Sequence, residues 1–146
     1  MSENINPDYA GEGMYRENII DHYKHPRNHG SMANADIRQK ENNPLCGDAV
    51  TISLKLSDGK ARKVKDIKFE GNGCAISQAA ASMLTDEIKG KTLEEIKKIG
   101  MEDVVNMLGI EIGPVRAKCA VLGLAAIKEG IKEFENKENN SFNNKS

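Results

Sequence analysis

The feature that most constrains the fold is a change in hydrophobic period along the chain. From Val50 to Leu56, hydrophobic residues alternate with polar ones, which is the pattern of a half-buried β-strand. The pair Asp58-Gly59 then favours a hairpin turn, and a return strand is predicted to carry Val64, Ile67 and Phe69. Val64 and Ile67 are out of phase by one residue, which indicates a β-bulge or a displaced strand start.

Helical periods flank these strands. Before them, Tyr15, Ile19, Ile20 and Tyr23 form a stripe that should end near His25, ahead of Pro26. After the strands, a second helix is predicted to end at Gly90, and its stripe consists of Ile76, Ala79, Ala80, Met83, Leu84 and Ile88. Strands and helices are therefore segregated along the chain, which predicts an α+β fold.

Three further helices are predicted towards the end of the chain. Thr92-Leu93-Glu94-Glu95 has the spacing of a capping box and should open a short helix. Another helix is bounded by Gly100 and Gly109. A long helix follows Pro114, and its hydrophobic stripe consists of Ala120, Leu124, Ile127, Ile131 and Phe134.

The composition is that of one globular domain. The chain has 146 residues, 38% hydrophobic and 29% charged, with a net charge of −1, so nothing global indicates nucleic acid or an anionic membrane as a partner. The sequence contains no run of about 18 apolar residues, the length needed to span a bilayer. We expect a flexible N-terminal tail over 1–13, one domain over 14–135 and a disordered tail over 136–146.

Three cysteines, Cys46, Cys74 and Cys119, lie at predicted junctions between elements. Their odd number and the polar N-terminal segment, unlike a signal peptide, argue for reduced thiols and a cytoplasmic protein. A single free cysteine is often only a small buried hydrophobe. Three at three junctions favour a shared site instead, and Cys74 and Cys119 are expected at helix N-termini, which stabilise thiolates.

Thiolates are both nucleophiles and ligands for soft metals, so the chemistry is sulfur transfer or metal binding. The three cysteines are 28 and 45 residues apart in sequence, which fits no zinc-finger pattern. Asp48 is the nearest candidate for a fourth ligand, and a carboxylate would hold a soft metal less tightly than a thiolate does. The alternative for Asp48 is a turn carboxylate bonded to its own backbone.

The three histidines, His22, His25 and His29, are close together in sequence. Lys24 and Arg27 lie among them and would repel a cation. We therefore expect His22 and His25 to cap the end of the first helix rather than to bind a metal.

Four blocks of sequence together resemble the IscU/NifU-type family of iron–sulfur cluster assembly scaffolds. They are Asp21-His22-Tyr23-Lys24-His25-Pro26-Arg27-Asn28 with Gly30, Asn43-Pro44-Leu45-Cys46-Gly47-Asp48, Phe69-Glu70-Gly71-Asn72-Gly73-Cys74-Ala75-Ile76-Ser77, and Lys118-Cys119-Ala120-Val121-Leu122. The blocks occur in the family's order and cover about residues 15–131, nearly the whole predicted domain.

This resemblance implies a three-stranded antiparallel sheet with helices packed on it, including a long C-terminal helix. It implies that Cys46, Cys74 and Cys119, with Asp48, bind a [2Fe-2S] cluster, and that zinc can occupy the cluster-free form. A cysteine desulfurase would supply sulfur as persulfide, with Cys119 as its acceptor beside Lys118 and Arg116. The finished cluster would pass to apo iron–sulfur proteins, which makes the protein a scaffold rather than an enzyme. A second subunit could complete a three-thiolate site exposed at one end, so a homodimer is an option for the cluster-bound form.

The sequence also departs from the scaffold pattern. Lys118 replaces the histidine that precedes the third cysteine in proteobacterial and mitochondrial scaffolds, and Ile112-Gly113-Pro114-Val115-Arg116 only partly preserves their chaperone-binding segment. Protonated lysine is a poor ligand, so the fourth ligand is expected to be Asp48, a partner chain or solvent. Lys118 and the block Gly73-Cys74-Ala75-Ile76-Ser77 resemble the corresponding positions of SufU-like proteins, so a zinc-dependent sulfurtransferase is the alternative function. This chain lacks, however, the insertion that those proteins carry between the second and third cysteine blocks. A structural zinc adaptor fits less well, because structural sites usually have four strong ligands.

Overall fold

The computed structural model describes residues 7–44, 47–59 and 61–143, and it describes side chains only within 13–140. The elements in order are α1 (Pro7–Lys24), β1 (Ile37–Asn43), β2 (Asp48–Leu56), β3 (Val64–Asn72), α2 (Ala75–Ile88), α3 (Leu93–Lys97), α4 (Met101–Leu108), α5 (Pro114–Ala120) and α6 (Leu122–Asn143). This confirms the α+β fold with a three-stranded sheet and a long C-terminal helix. Among the described helices, none combines the length and apolar character needed to cross a bilayer.

The sheet has the order β1-β2-β3, and both pairings are antiparallel. In β2, alternate side chains face the core and are buried: Asp48, Val50, Ile52, Leu54 and Leu56. The predicted bulge is confirmed in β3, because Leu56 pairs with Val64 while Lys55 pairs with Asp66, which leaves Lys65 without a partner in the register. The extra residue brings both Val64 and Ile67 into the core.

Strand β1 has no clear hydrophobic pattern, since Ile37 is its only buried residue. Its alternate residues Gln39, Glu41 and Asn43 are half-buried, and the strand contacts α6. At Gly130 of α6, a Cβ atom would lie 2.7 Å from Ile37 Cγ2. Glycine at this position therefore lets α6 approach the strand closely.

Helix α2 lies against the sheet and is buried along most of its length, as its predicted stripe requires. It ends at Ile88, ahead of Gly90, which has φ +90°. The capping box of α3 is confirmed, because the Thr92 side chain accepts from the Glu95 amide and the Glu95 carboxylate accepts from the Thr92 amide.

The predicted stripe of α1 is only partly confirmed. Ile19 is buried, but Tyr15, Ile20 and Tyr23 are 45%, 51% and 47% exposed. The reason is that α1 contacts chiefly one neighbour, α2, and a helix with a single neighbour buries a narrow strip.

Helical structure passes both boundaries expected for the tails. Helix α1 begins at Pro7, inside the 1–13 segment, and α6 continues to Asn143, beyond residue 135. Residues 136–140 are exposed, and Glu138 among them pairs with Arg62.

Candidate metal centre

Three of the predicted ligands meet at one end of the sheet. Asp48 at the start of β2, Cys74 just before α2 and Cys119 in α5 offer one carboxylate oxygen and two sulfurs, and these atoms all lie within 4.8 Å of one another. We call these three residues the donor cluster. Cys46, the fourth predicted ligand, lies outside the described residues.

Asp48 is not an ordinary turn carboxylate. It is a strand residue paired with Asn43, it is 4% exposed, and its Oδ2 atom is buried without a hydrogen-bond partner among the described residues. An unsatisfied buried polar atom costs about 1–3 kcal/mol, and more when it is charged. Because two sulfurs lie near the same carboxylate, a bound cation would satisfy it, so the residues present fit a metal ion.

The turn between β3 and α2 brings Gly73 against Asp48. A Cβ atom at Gly73 would lie 3.1 Å from Asp48 Cγ and 3.3 Å from Oδ2, and only 2.2 Å from Ser77 Oγ. Ser77 donates a hydrogen bond from its hydroxyl to the Cys74 carbonyl, 3.1 Å away. Glycine at 73 thus leaves the space that the Asp48 carboxylate needs beside the turn.

Cys74 is the N-cap residue of the 14-residue helix α2, as predicted, and it is exposed. The amides and positive dipole end of α2 therefore lie beside its thiol. Of the two described cysteines, this one can be reached from solvent.

Cys119 lies at the opposite kind of helix end from the one predicted. The expected long helix is two helices, α5 and α6, separated by a turn at Val121, and Cys119 is the sixth of the seven residues of α5. The expectation that Cys119 stands at a helix N-terminus is therefore wrong. Its side chain is 2% exposed, and the Asn43 amide Nδ2 donates to its Sγ over 3.8 Å.

The cationic neighbours of Cys119 in sequence, Arg116 and Lys118, are both exposed. Neither is needed to complete the geometry of the donor cluster. The auxiliary role of Lys118 therefore stays a prediction.

The histidines do not join the donor cluster. His22 was expected to cap α1, but it is buried, and its Nδ1 lies 2.7 Å from Ser82 Oγ on α2. Burial lowers the pKa of His22, with a smaller effect in the same direction from Arg27. His29 packs edge-on against Phe69 with ring centroids 5.4 Å apart.

Three residues of the centre were missed as contributors: Asn43, Gly73 and Ser77. All three belong to the sequence blocks around Cys46 and Cys74, where they first served only as markers of resemblance. The available signal was a glycine directly before an N-cap cysteine; nothing in the sequence marked Asn43, because β1 was not predicted.

Known proteins resemble this chain over most of its length. Residues 14–141 match the family described as "NifU-like N terminal domain". The zinc-dependent sulfurtransferase SufU of Bacillus subtilis is 40% identical over 152 aligned positions, which cover 92% of this chain and 98% of SufU. The iron–sulfur cluster assembly scaffold protein IscU of Escherichia coli is 35% identical, with 84% of this chain and 95% of IscU covered.

A solved structure carries the same fold. The Fervidobacterium islandicum protein FiSufU, described as a scaffold for iron–sulfur cluster assembly in the SUF system, superposes with a TM-score of 0.64 at 33% identity. The superposition covers 78% of this chain and 93% of FiSufU. With the family match over most of its length, the chain belongs to the NifU-like N-terminal domain family.

Proposed function

We propose that this protein is a scaffold for iron–sulfur cluster assembly. It receives sulfur from a cysteine desulfurase, combines it with iron in a transient [2Fe-2S] cluster, and passes that cluster to apo-proteins. The observation that carries the proposal is the donor cluster, in which two sulfurs and a carboxylate oxygen of Asp48 lie within 4.8 Å of one another. The Oδ2 atom of this aspartate is buried and has no hydrogen-bond partner among the described residues. The IscU relatives among the matching proteins support the same function.

The cluster is cargo, and the residues of this chain hold it. Cys74 and Cys119 supply two sulfurs, Asp48 supplies an oxygen, and we propose Cys46 as the third sulfur ligand. Thiolate is the preferred ligand of iron–sulfur clusters, and a carboxylate is a harder and weaker one. Such a mixed set suits a site that must release what it holds.

The second candidate is a zinc-dependent sulfurtransferase, which would make the protein an enzyme. The SufU relative favours it, with 40% identity across nearly the whole of both chains. The same four residues would hold the zinc, which keeps its cysteine ligands deprotonated when bound. A persulfide sulfur would then pass to a thiolate of this chain, and the desulfurase cysteine would leave as a thiolate.

One experiment separates the two functions. The protein is purified without oxygen, its iron and zinc are measured, and ferrous iron, cysteine and a cysteine desulfurase are then added while the visible spectrum is recorded. A scaffold develops the charge-transfer bands of a [2Fe-2S] cluster and transfers it to an apo-ferredoxin. Retained zinc, a colourless protein and a rise in sulfide output would instead establish the sulfurtransferase.

Asp48 is expected to govern release of the cluster. Its carboxylate is the weakest of the proposed ligands, and it gives an incoming thiolate of the acceptor a position to displace. Asp48→Ala should therefore slow transfer to an apo-ferredoxin, measured as the rate at which the acceptor spectrum appears. Glu111→Ala removes an exposed carboxylate and serves as the control. Equal transfer rates for the two variants would contradict this role.

Cys119 stays the proposed sulfur acceptor, with Arg116 and Lys118 beside it in sequence and the Asn43 amide on its sulfur. Cys74 is the competing acceptor, because it is exposed and caps α2. Persulfide labelling followed by mass spectrometry should show that Cys119→Ser loses the label more completely than Cys46→Ser or Cys74→Ser. Equal labelling of all three variants would rule out this assignment.

A further inference from the structure

Asn43 is the last residue of β1, and it is paired directly with Asp48 across the sheet. Directly opposed residues of an antiparallel pair project from the same face. Ile37 pairs in the same way with Leu54 at the other end of the two strands. Both pairs lie on one face of the sheet, because the residues of each strand are an even number of positions apart. That face is the one packed against the helices.

An amide at this position can do what a hydrophobic residue cannot. Its Nδ2 atom donates to Cys119 Sγ over 3.8 Å, a distance compatible with a hydrogen bond to sulfur. Cys119 itself is 2% exposed, so the solvent has little access to its sulfur. The amide thus donates a hydrogen bond to a buried sulfur of the donor cluster.

We propose that Asn43 is a positioning residue for Cys119: its amide holds the sulfur towards Asp48 and Cys74 and moderates the electron density that the sulfur gives to a bound metal. Hydrogen bonds of this kind fix the orientation of metal ligands and tune their donor strength. The inference rests on the proposed function, because it needs the donor cluster to bind a metal or a cluster.

Adjacent residues of β1 provide the variants that test this role. Asn43→Ala removes the amide, and Asn43→Leu keeps nearly the same shape but has neither the N–H donor nor a group that could bind a metal. Asn42→Ala is the matched control, because Asn42 is exposed, pairs with Ala49 and projects from the opposite face.

Cobalt(II) and zinc are the probes. We expect zinc affinity, measured by competition with a chelator, to fall about tenfold or more in both Asn43 variants, as is typical when a partner of a metal ligand is lost. The sulfur-to-cobalt charge-transfer band should move to longer wavelength in both, because a sulfur relieved of its hydrogen bond gives up electron density more easily. A role in folding alone would leave this band unmoved.

Other outcomes would contradict the inference in distinguishable ways. Asn43 variants that match Asn42→Ala in affinity and spectrum would overturn the role of Asn43 and leave the donor cluster intact. A loss in Asn43→Ala with wild-type behaviour of Asn43→Leu would also overturn it, because shape rather than donation would then be responsible. A wild-type protein that takes up neither zinc nor cobalt would overturn the proposed function, and this inference with it.

Discussion

The Asp48 carboxylate of the donor cluster depends on the absence of a side chain at Gly73. Asp48 lies in a strand with its Oδ2 atom buried and unpartnered among the described residues, and the nearest turn residue, Gly73, has no side chain to fill the space beside it. The backbone at Gly73 does not have a positive φ. The requirement for glycine there is consequently steric and concerns the Asp48 carboxylate.

Gly73→Ala should accordingly weaken metal binding without preventing folding. Its Cβ atom would lie 2.2 Å from Ser77 Oγ, so that hydroxyl must move. It would also lie 3.1 Å from Asp48 Cγ, which is tight enough to displace the carboxylate slightly. We expect zinc affinity in a chelator competition to fall about tenfold or more. Gly113→Ala is the control, since a Cβ atom there meets nothing within 4 Å. Unchanged affinity in Gly73→Ala would show that the cluster tolerates a displaced carboxylate.

How far single residues could be predicted depends on how local their environment is. Cys74 was placed correctly at the start of α2, because the glycines before it mark that junction in the sequence. Cys119 was placed at the wrong kind of helix end. The stripe from Ala120 to Phe134 is continuous in sequence, and it does not reveal the turn at Val121 that separates α5 from α6.

At the scale of elements, the strands and helices with a strong hydrophobic period were predictable, and β1 was not predictable from its own residues. Its sequence, IRQKENN, has one buried side chain. Its position depends on pairing with β2 and on the close approach of α6 at Gly130. Both are tertiary contacts, which no local pattern of residues contains.

Helix α1 and the loop that follows it contact α2 through a polar connection as well as through the buried Ile19. Ser82 Oγ accepts from the Arg27 amide at 2.8 Å and lies 2.7 Å from His22 Nδ1. The Ser82 hydroxyl only accepts from the Arg27 amide, so its one hydrogen is available for donation to an unprotonated Nδ1 of His22. A neutral His22 therefore fits the connection.

His22 should make stability depend on pH. Burial, helped by Arg27 and opposed by Asp21 and Asp86, lowers the pKa of His22 in the folded protein, whereas in the unfolded chain it is about 6.5. As the pH falls through about 6.5, the unfolded chain takes up a proton that the folded protein does not, so stability decreases until the pH reaches the folded-state pKa. Above about pH 7.5 this effect is absent.

The measurement is the free energy of unfolding by urea between about pH 7.5 and pH 5.5. His22→Asn keeps an acceptor for Ser82 but does not titrate, so its stability should fall less than that of the wild type over this range. His25→Asn, at an exposed histidine, is the control and should follow the wild type. A wild-type slope in His22→Asn would remove His22 as the source of the dependence.

For the whole molecule, the donor cluster joins parts of the chain that are far apart in sequence. Asp48 comes from the sheet, Cys74 from the start of α2 and Cys119 from α5. Helix α5 contacts α2 and α4, and α2 in turn contacts the sheet, α1 and α6. A ligand bound by all three donors would therefore stabilise the packing of most of the domain.

Zinc should therefore raise the melting temperature of the protein. A ligand that binds only the folded state contributes about 2.7 kcal/mol at a concentration of 100 Kd. For a chain of this size, 1 kcal/mol corresponds to about 2–4 °C, so the expected rise is about 5–10 °C and is reversed by a chelator.

Cys119→Ser should lose most of this rise, because a neutral hydroxyl is a poor zinc ligand and the link to α5 is broken. Lys118→Ala should keep the rise, since Lys118 is exposed and a protonated lysine cannot bind zinc. A rise that survives in Cys119→Ser and disappears in Lys118→Ala would place the metal at another site.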